Sequence, residues 1–474
     1  MDDTAGILSF SFEDEDACAL FRLFLSGAMT WSEFLRQPMP HNVSPLEAWE
    51  AMKRMMRCVG VHVAVPGGDE NGVQLWYCRT YQLIDLAARV SRLAAPDSAL
   101  SRALCSEGEK DTRADLRAIE ASAASRLAGF ESDPATLAAA RLQEGDQGHG
   151  HGLGLGHGIR RLESNMIAID ADLESYVGRR FARDLIEELQ ARLLEGVDES
   201  LLEEDAGRAS VAQGSPARFA NAPAWADVFC GYANHDLGAA EDLPVFRGAL
   251  MTDYVRSFCP FGRASGHMAS LLSRLYWRQR GLPALAVAPL SRVRLAWRLG
   301  KLELADVLCD RAEYEATYRR DPEDLTVYQT LTAQFACHAL AEMERRVSSH
   351  VERDVAIGAI LRRCSGFNQR QRAVIARSLQ VKDARFSIRG HHGEFGVSCT
   401  TARRDLAELV REGFLRVVPQ GKAYVFVADD RAVKLKEIVD QRAGASDTSG
   451  VAEPLDGAVA PPASPAALQD ARIP

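Results

Sequence analysis

A helical period runs through most of this chain, and it leaves few folds open. Met268, Leu271, Leu272, Leu275 and Tyr276 fall at i, i+3, i+4, i+7 and i+8, the spacing of one buried helical face. Leu46, Trp49, Met52, Met55 and Met56 do the same between Leu46 and Val59. Val177, Phe181, Leu185, Ile186, Leu189, Leu193 and Leu194 give an apolar stripe within Ile159–Gly196, one long helix or two. Leu83–Leu93, the alanine-rich Ala114–Phe130, Leu243–Phe258 and Arg311–Arg346 also read as helices. Strand signals are few: Val61–Val65 and Gly72–Cys78 flank the turn Pro66-Gly67-Gly68-Asp69. The expected class is mainly α.

A chain of 474 residues suffices for two to four domains with ample core. Its longest apolar runs, such as Pro283–Leu290, are far short of a membrane span, so no membrane partner is expected. Glu13, Asp14, Glu15 and Asp16 interrupt any signal-peptide pattern. The ten cysteines include no C-x-x-C pair, which points to reduced, buried thiols, a cytoplasmic location and no zinc site. Gly145–Gly158 reads as a flexible linker. His149, His151 and His157 within it could hold a metal only weakly, because ordering so many glycines opposes binding.

The net charge of −9 is unevenly spread. Phe367–Arg442 carries 15 Lys or Arg against 9 Asp or Glu, net +6; the rest carries 41 against 56, net −15. Such a basic segment on an acidic protein suggests a local anionic partner, though chance variation between domains would look the same.

Cys259-Pro260-Phe261-Gly262-Arg263-Ala264-Ser265-Gly266-His267 leads directly into the helix of Met268. The segment resembles the Fic (Fido) signature H-P-F-x-[D/E]-G-N-G-R. The resemblance implies a helical domain in which this loop cradles ATP and its His activates a target hydroxyl for AMP transfer. Here Cys259 stands at the His position, Arg263 at the acid position, Ser265 at the Asn and His267 at the Arg, while Pro260, Phe261 and Gly266 keep the pattern. The following arginine position is Ser270.

Upstream, Ala121–Gly129 resembles the family's inhibitory helix, with Ala124 at its Ser/Thr position and Ala128 at its Glu position. Ile186–Val197 resembles a further family helix, with Gln190 at a His position, and Tyr314 with Asp324-Leu325-Thr326 resembles its closing helices. Trp76-Tyr77 resembles the region ahead of some Fic domains, and Asp198–Pro223 falls where active members carry the flap that aligns the target.

Chemically, the replacements remove the working groups. A thiol of pKa about 8.5 is mostly protonated at neutral pH and is a poor base. Arg263 puts a fixed positive charge where a carboxylate would hold Mg²⁺. Three readings follow: a dead scaffold; a site that binds ATP without turnover through Phe261, Arg263, Ser265, Gly266 and His267; or altered chemistry, with Cys259 as nucleophile or an active protein adenylyltransferase acting on a target protein. No cofactor is certain, and Mg²⁺ is disfavoured.

Asn368–Val427 reads as a winged helix from its own pattern. A helix over Gln369–Leu379, a short one near Ile388–Gly393 and a third capped by Ser398 and stopped at Gly413 precede two strands, Phe414–Val418 and Ala423–Val427. Val397–Leu406 resembles the recognition helix of DeoR-type regulators, V-S-x-x-T-x-R-R-D-L. It implies DNA contact through Thr400, Thr401, Arg403 and Arg404, with Lys422 at the tip of the wing. Winged helices also serve as protein-interaction or dimerisation modules, so a homodimer stays open.

The expected organisation is an accessory domain over 1–100, an inhibitory-helix-like region over 101–144 and the linker over 145–158. A Fic-like domain over 159–350, a winged helix over 367–442 and a disordered tail over 443–474 follow.

Overall fold

The computed structural model describes residues 15–40, 43–63, 75–106, 109–134, 155–198, 225–236, 243–258, 260–303, 307–380, 384–420 and 423–444. Described helix far exceeds strand, as the periodicity predicts. The chain divides into two compact units at Val347/Ser348.

The first unit opens with α1 (Glu15–Ser26), α2 (Trp31–Phe34) and α3 (Pro45–Val59). Thr30 and Ser44 start α2 and α3 as full capping boxes with Glu33 and Glu47. Their inner faces, with Leu20, Phe24, Phe34, Trp49 and Met52, form a small aromatic-rich core. β1 (Val61–Val63) and β2 (Leu75–Tyr77) pair antiparallel, as expected of the flanks of that turn; the turn itself lies outside the described residues. β2 also meets the segment before the closing helix: Trp76 N–H donates to the Glu323 carbonyl at 3.0 Å, and Leu325 N–H to the Trp76 carbonyl at 2.7 Å.

The larger core is built by α4 (Tyr81–Ala94), α5 (Ala99–Cys105), α6 (Lys110–Leu127), α7 (Leu155–Asp172), α8 (Arg183–Leu194), α9 (Trp225–Ala233), α10 (Pro244–Phe258), α11 (Ser265–Gln279), α12 (Pro283–Val287), α13 (Leu290–Arg298), α14 (Arg311–Arg320) and the first part of α15 (Thr326–Arg363). α11 is its axis: every residue from His267 to Trp277 is buried. A helix apolar on one face only would sit at a surface, whereas α11 and the second half of α6 are enclosed on nearly all sides. α6 manages this with small side chains, Ala121 to Ser125 all being buried, which lets α7, α11 and α13 approach it closely.

Three boundaries differ from expectation. The Gly/His-rich linker does not extend to Gly158, because α7 begins at Leu155; the buried Ile159, Leu162 and Met166 anchor a helix that runs back through the preceding turn. The helix read over Arg311–Arg346 is two, broken at Asp321–Leu325, where Pro322 follows the end of α14 and Asp324 caps α15 through Thr326. α15 then runs on to Arg363. Thiols are not uniformly buried either, since Cys58, Cys105 and Cys399 are exposed. No helix among the described residues is long and apolar enough to cross a membrane.

The second unit comprises the end of α15, α16 (Gln369–Gln380), β3 (Arg385–Phe386), α17 (Ile388–Phe395), α18 (Cys399–Arg411), β4 (Leu415–Gln420), β5 (Ala423–Ala428) and α19 (Asp430–Gly444). Its sheet has the order β3-β5-β4, antiparallel throughout. Val374, Ile375, Leu406, Leu409, Phe414 and Phe426 fill its core. Ser398 caps α18 by accepting from Thr401 N–H at 3.1 Å, and Gly413, at φ +74°, ends it in the left-handed region that glycine tolerates. α19 and β3 lay beyond the sequence reading.

Candidate functional site

The loop of the first unit turns its distinctive side chains inward. Cys259 lies outside the described residues. Phe261 is buried edge-on against Trp225, ring centroids 5.4 Å apart, and its N–H donates to Ser265 Oγ at 3.1 Å. Ser265 thereby closes the loop on itself and is 2% exposed. Gly262, at φ +54°, makes the bend between them.

Arg263 reaches α6. Its Nη2 donates to the Ala128 carbonyl at 3.3 Å, and its guanidinium lies 3.9 Å from the centroid of the Phe130 ring. Ala128 ends α6, where carbonyls lack helical partners and carry partial negative charge, so a cation there is favoured. The positions read as metal ligand and inhibitory Glu are therefore in contact, but as a guanidinium on a helix C-terminus.

His267 is fully buried in the first turn of α11, its Nε2 2.9 Å from Ser125 Oγ. Burial, with the charge of Arg256 added, pushes its pKa down to about 3. The imidazole is neutral at working pH and cannot replace a phosphate-binding arginine. Ser125 and Ser132 also hydrogen-bond to Glu163, whose carboxyl pKa burial raises against those bonds. Gly266 faces open space at the start of α11.

One turn on, Ser270 Oγ donates to Glu120 Oε1 at 2.7 Å, and Ser291 N–H donates to Glu120 Oε2 at 2.8 Å. Arg274, buried beside them, donates to Asp170 Oδ2 at 2.9 Å and to the Ala288 carbonyl at 3.0 Å; Arg117 reaches the same Asp170 oxygen at 3.0 Å. Asp170, Glu120 and Arg274 tie α6, α7, α11 and α13 together. The sequence reading missed this network; the signal available was a run of charged residues (Glu120, Asp170, Arg274) within otherwise apolar helices.

In the second unit, α18 shows a sharp division. Thr400, Arg403 and Arg404 are exposed, Thr401 is half-buried with its hydroxyl 2.9 Å from Ser398 Oγ, and Ala402, Leu406 and Leu409 face the core. Asp405, next to the two arginines, is buried. It accepts from Arg370 Nε at 2.7 Å and Asn368 Nδ2 at 2.9 Å, and lies 3.2 Å from His391 Nε2. Gln371 Nε2 adds a bond to its carbonyl at 3.3 Å. One carboxylate thus fixes α16 and α17 on α18. Burial acts to raise its pKa, but the bonds from Arg370, Asn368 and His391 together outweigh burial and lower it. Lys422 lies outside the described residues. The two sets of predicted residues belong to different units.

No protein-family model matches the chain, and no curated protein matches it either. Among solved structures it is similar to a Fic family protein from Desulfovibrio desulfuricans G20, at 13% identity and a TM-score of 0.40 over 75% of this chain and 98% of that one.

Proposed function

We propose that the second unit is a winged helix that binds DNA through α18, and that the first is a Fic-like helical body that no longer transfers AMP. The protein acts as a non-catalytic, DNA-binding regulator. The observation that carries this reading is the division of α18: Thr400, Arg403 and Arg404 face solvent, while the adjacent Asp405 locks the helix to its neighbours. A helix held this rigidly, with cations on its free face, suits insertion into a major groove, where phosphate contacts give affinity and base-edge contacts specificity. Arg389 and Arg416, also exposed, add positive charge within the same unit.

The absence of catalysis is supported by what the loop does instead. AMP transfer needs a base, a metal-holding carboxylate and cationic phosphate contacts. Arg263 is engaged by Ala128 and Phe130, and His267 is a buried neutral imidazole on Ser125. A nucleotide at this loop would meet neither group without disrupting α6.

Fluorescence anisotropy of the full chain with labelled duplexes, across a salt series, tests the DNA assignment. Binding should weaken with a steep log–log salt slope, and Arg403→Ala with Arg404→Ala should reduce that slope by about 2. Unchanged affinity and slope in the double variant would remove α18 from the interface. Incubation with Mg²⁺ and labelled ATP tests the other half: AMP on a protein, lost in Cys259→Ala, would establish the rival reading of an active adenylyltransferase.

A further inference from the structure

A cavity of about 80 Å³ lies within the first unit, between α10, α11, α13 and α15, away from the loop's own side chains. It exceeds what one water needs and has room for several. Its walls are of two kinds. Trp277, Trp297, Tyr314, Tyr328 and Phe335 supply flat apolar surface. Arg256, Arg294, Glu120 and several hydroxyls supply polarity.

Most of that polarity is already engaged. Glu120 holds Ser270 and the Ser291 N–H. Thr252 Oγ1 lies 2.5 Å from Ser273 Oγ, Thr332 Oγ1 donates to the Tyr328 carbonyl at 2.9 Å, and Tyr328 OH donates to the Ala249 carbonyl at 3.1 Å. Both indole N–H groups point at backbone carbonyls, Trp277 to Pro244 and Trp297 to Cys309.

Arg294 is different. It lines the cavity half-buried, and among the described residues it has neither a hydrogen-bond nor an ion-pair partner. Arg256, which reaches Ser291 Oγ at 3.5 Å, is close enough to feel it: burial first, then the charge of Arg294, pushes the Arg256 pKa down to about 9. Two guanidiniums thus line a chamber with much aromatic surface. Nearby Glu120 is committed elsewhere, and Arg274 is neutralised by Asp170. A guanidinium that is partly desolvated and lacks a counter-charge favours an anion that joins it. The half-exposed Arg294, Trp297, Tyr314 and Thr332 place the mouth on one side, whereas Ser270, Ser273, Trp277 and Leu331 form a buried floor.

We infer that this cavity binds a small organic carboxylate with a flat apolar body, its carboxylate on Arg294 and Arg256 and its body among the aromatic walls. A planar guanidinium matches a carboxylate in a two-point contact, which a neutral analogue of the same shape cannot make. The site is distinct from the loop read above as the relic of AMP transfer, and it does not depend on DNA binding.

Isothermal titration of the full chain with benzoate tests this, beside benzyl alcohol as the neutral isostere and inorganic phosphate as the anion without a body. Benzoate should bind at a Kd of about 1 mM or tighter, as fits so small a ligand, and the other two at least about tenfold more weakly. Arg294→Gln, which breaks no hydrogen bond or ion pair and relieves repulsion on Arg256, should not lower the thermal midpoint of the free protein and should weaken benzoate at least about tenfold. Because Trp277 and Trp297 line the cavity, their fluorescence should respond to benzoate in the wild type and not in the variant at the same concentration. No binding of benzoate or 3-phenylpropionate at 20-fold above about 1 mM would overturn the assignment. So would equal binding of benzyl alcohol, or benzoate affinity unaltered by Arg294→Gln.

Discussion

Replacing Asp405 with alanine should loosen the whole second unit around α18. The carboxylate accepts from Arg370, Asn368 and His391 at 2.7, 2.9 and 3.2 Å. Truncation leaves these donors without an acceptor, and their positions decide the cost. Arg370 is about a third exposed, 32%, and can turn to water, so its share is small. His391, at 4%, cannot, and a buried donor stranded in this way costs about 1–3 kcal/mol. Losing the bond to Asn368, which also orients the start of α16, adds about 1 kcal/mol, while the Gln371 bond to the backbone carbonyl of residue 405 survives the truncation. Together the loss is about 3 kcal/mol, at the low end of the roughly 3–5 kcal/mol for breaking a fully buried pair. Amide hydrogen exchange read by mass spectrometry resolves this by segment. Peptides from α16, α17 and α18 should lose protection by about 100-fold, the factor that 3 kcal/mol implies, while α11 peptides serve as an internal reference. Loss of protection under threefold in α17 and α18 would refute the view that this carboxylate holds the helices together. Because its folded pKa is depressed, the contribution is full above the unfolded value near 3.9 and fades as pH falls through the folded value.

Gly248→Ala should destabilise the first unit by about 2 kcal/mol, because the new Cβ would meet Trp277 Nε1 at 2.3 Å and cost both packing and the indole bond to Pro244; thermal melting against Gly178→Ala, where a Cβ meets nothing, isolates the effect. His267, with its pKa depressed to about 3, should show no imidazole titration by NMR between pH 5 and 8. The unfolded state takes up that proton near pH 6.5, so stability present above this value should fall by about 3 kcal/mol between pH 7 and pH 4, and His267→Gln should flatten that dependence in urea titrations. Arg263→Met, which keeps the stem over Phe130 but loses the bond to Ala128, should cost about 1 kcal/mol by urea denaturation, and a neutral outcome would mean that the guanidinium does not cap α6.

Helix positions were legible wherever burial is one-sided. Leu46–Val59 and Ile186–Leu194 carry their apolar residues at helical spacing and form helices there. Chemistry at short range was legible too: Ser398 as a cap and Gly413 as a stop follow from local hydrogen bonding and backbone freedom. Features set by distant partners were not. The break at Asp321–Leu325 exists because that segment pairs with β2, some 250 residues away in sequence, and nothing near Pro322 announces a strand partner. α6 shows the same limit. Its alanines and serines mark a good helix former but do not reveal that Ala121–Ser125 are all buried, since small residues serve equally at an exposed surface.

The loop over 260–267 shows a different asymmetry. Sequence comparison with a signature reveals which groups are missing, and missing groups alone are compatible with a site that still binds nucleotide. What supports the proposed scaffold reading is the present engagement of Arg263 and His267. Arg263 could have faced solvent as a phosphate ligand in place of a metal; instead it caps α6 and lies on Phe130. His267 could have been half-exposed and titratable; instead it is sealed against Ser125 with its charged form strongly disfavoured. Both contacts join the loop to α6. The loop is held to α6 by a guanidinium on a helix end and by a neutral hydrogen bond. On the proposed reading, Cys259→His alone should leave AMP transfer absent in a labelled-ATP assay, because the arginine and histidine contacts to α6 would still occupy the loop, and label incorporated by that variant would refute it.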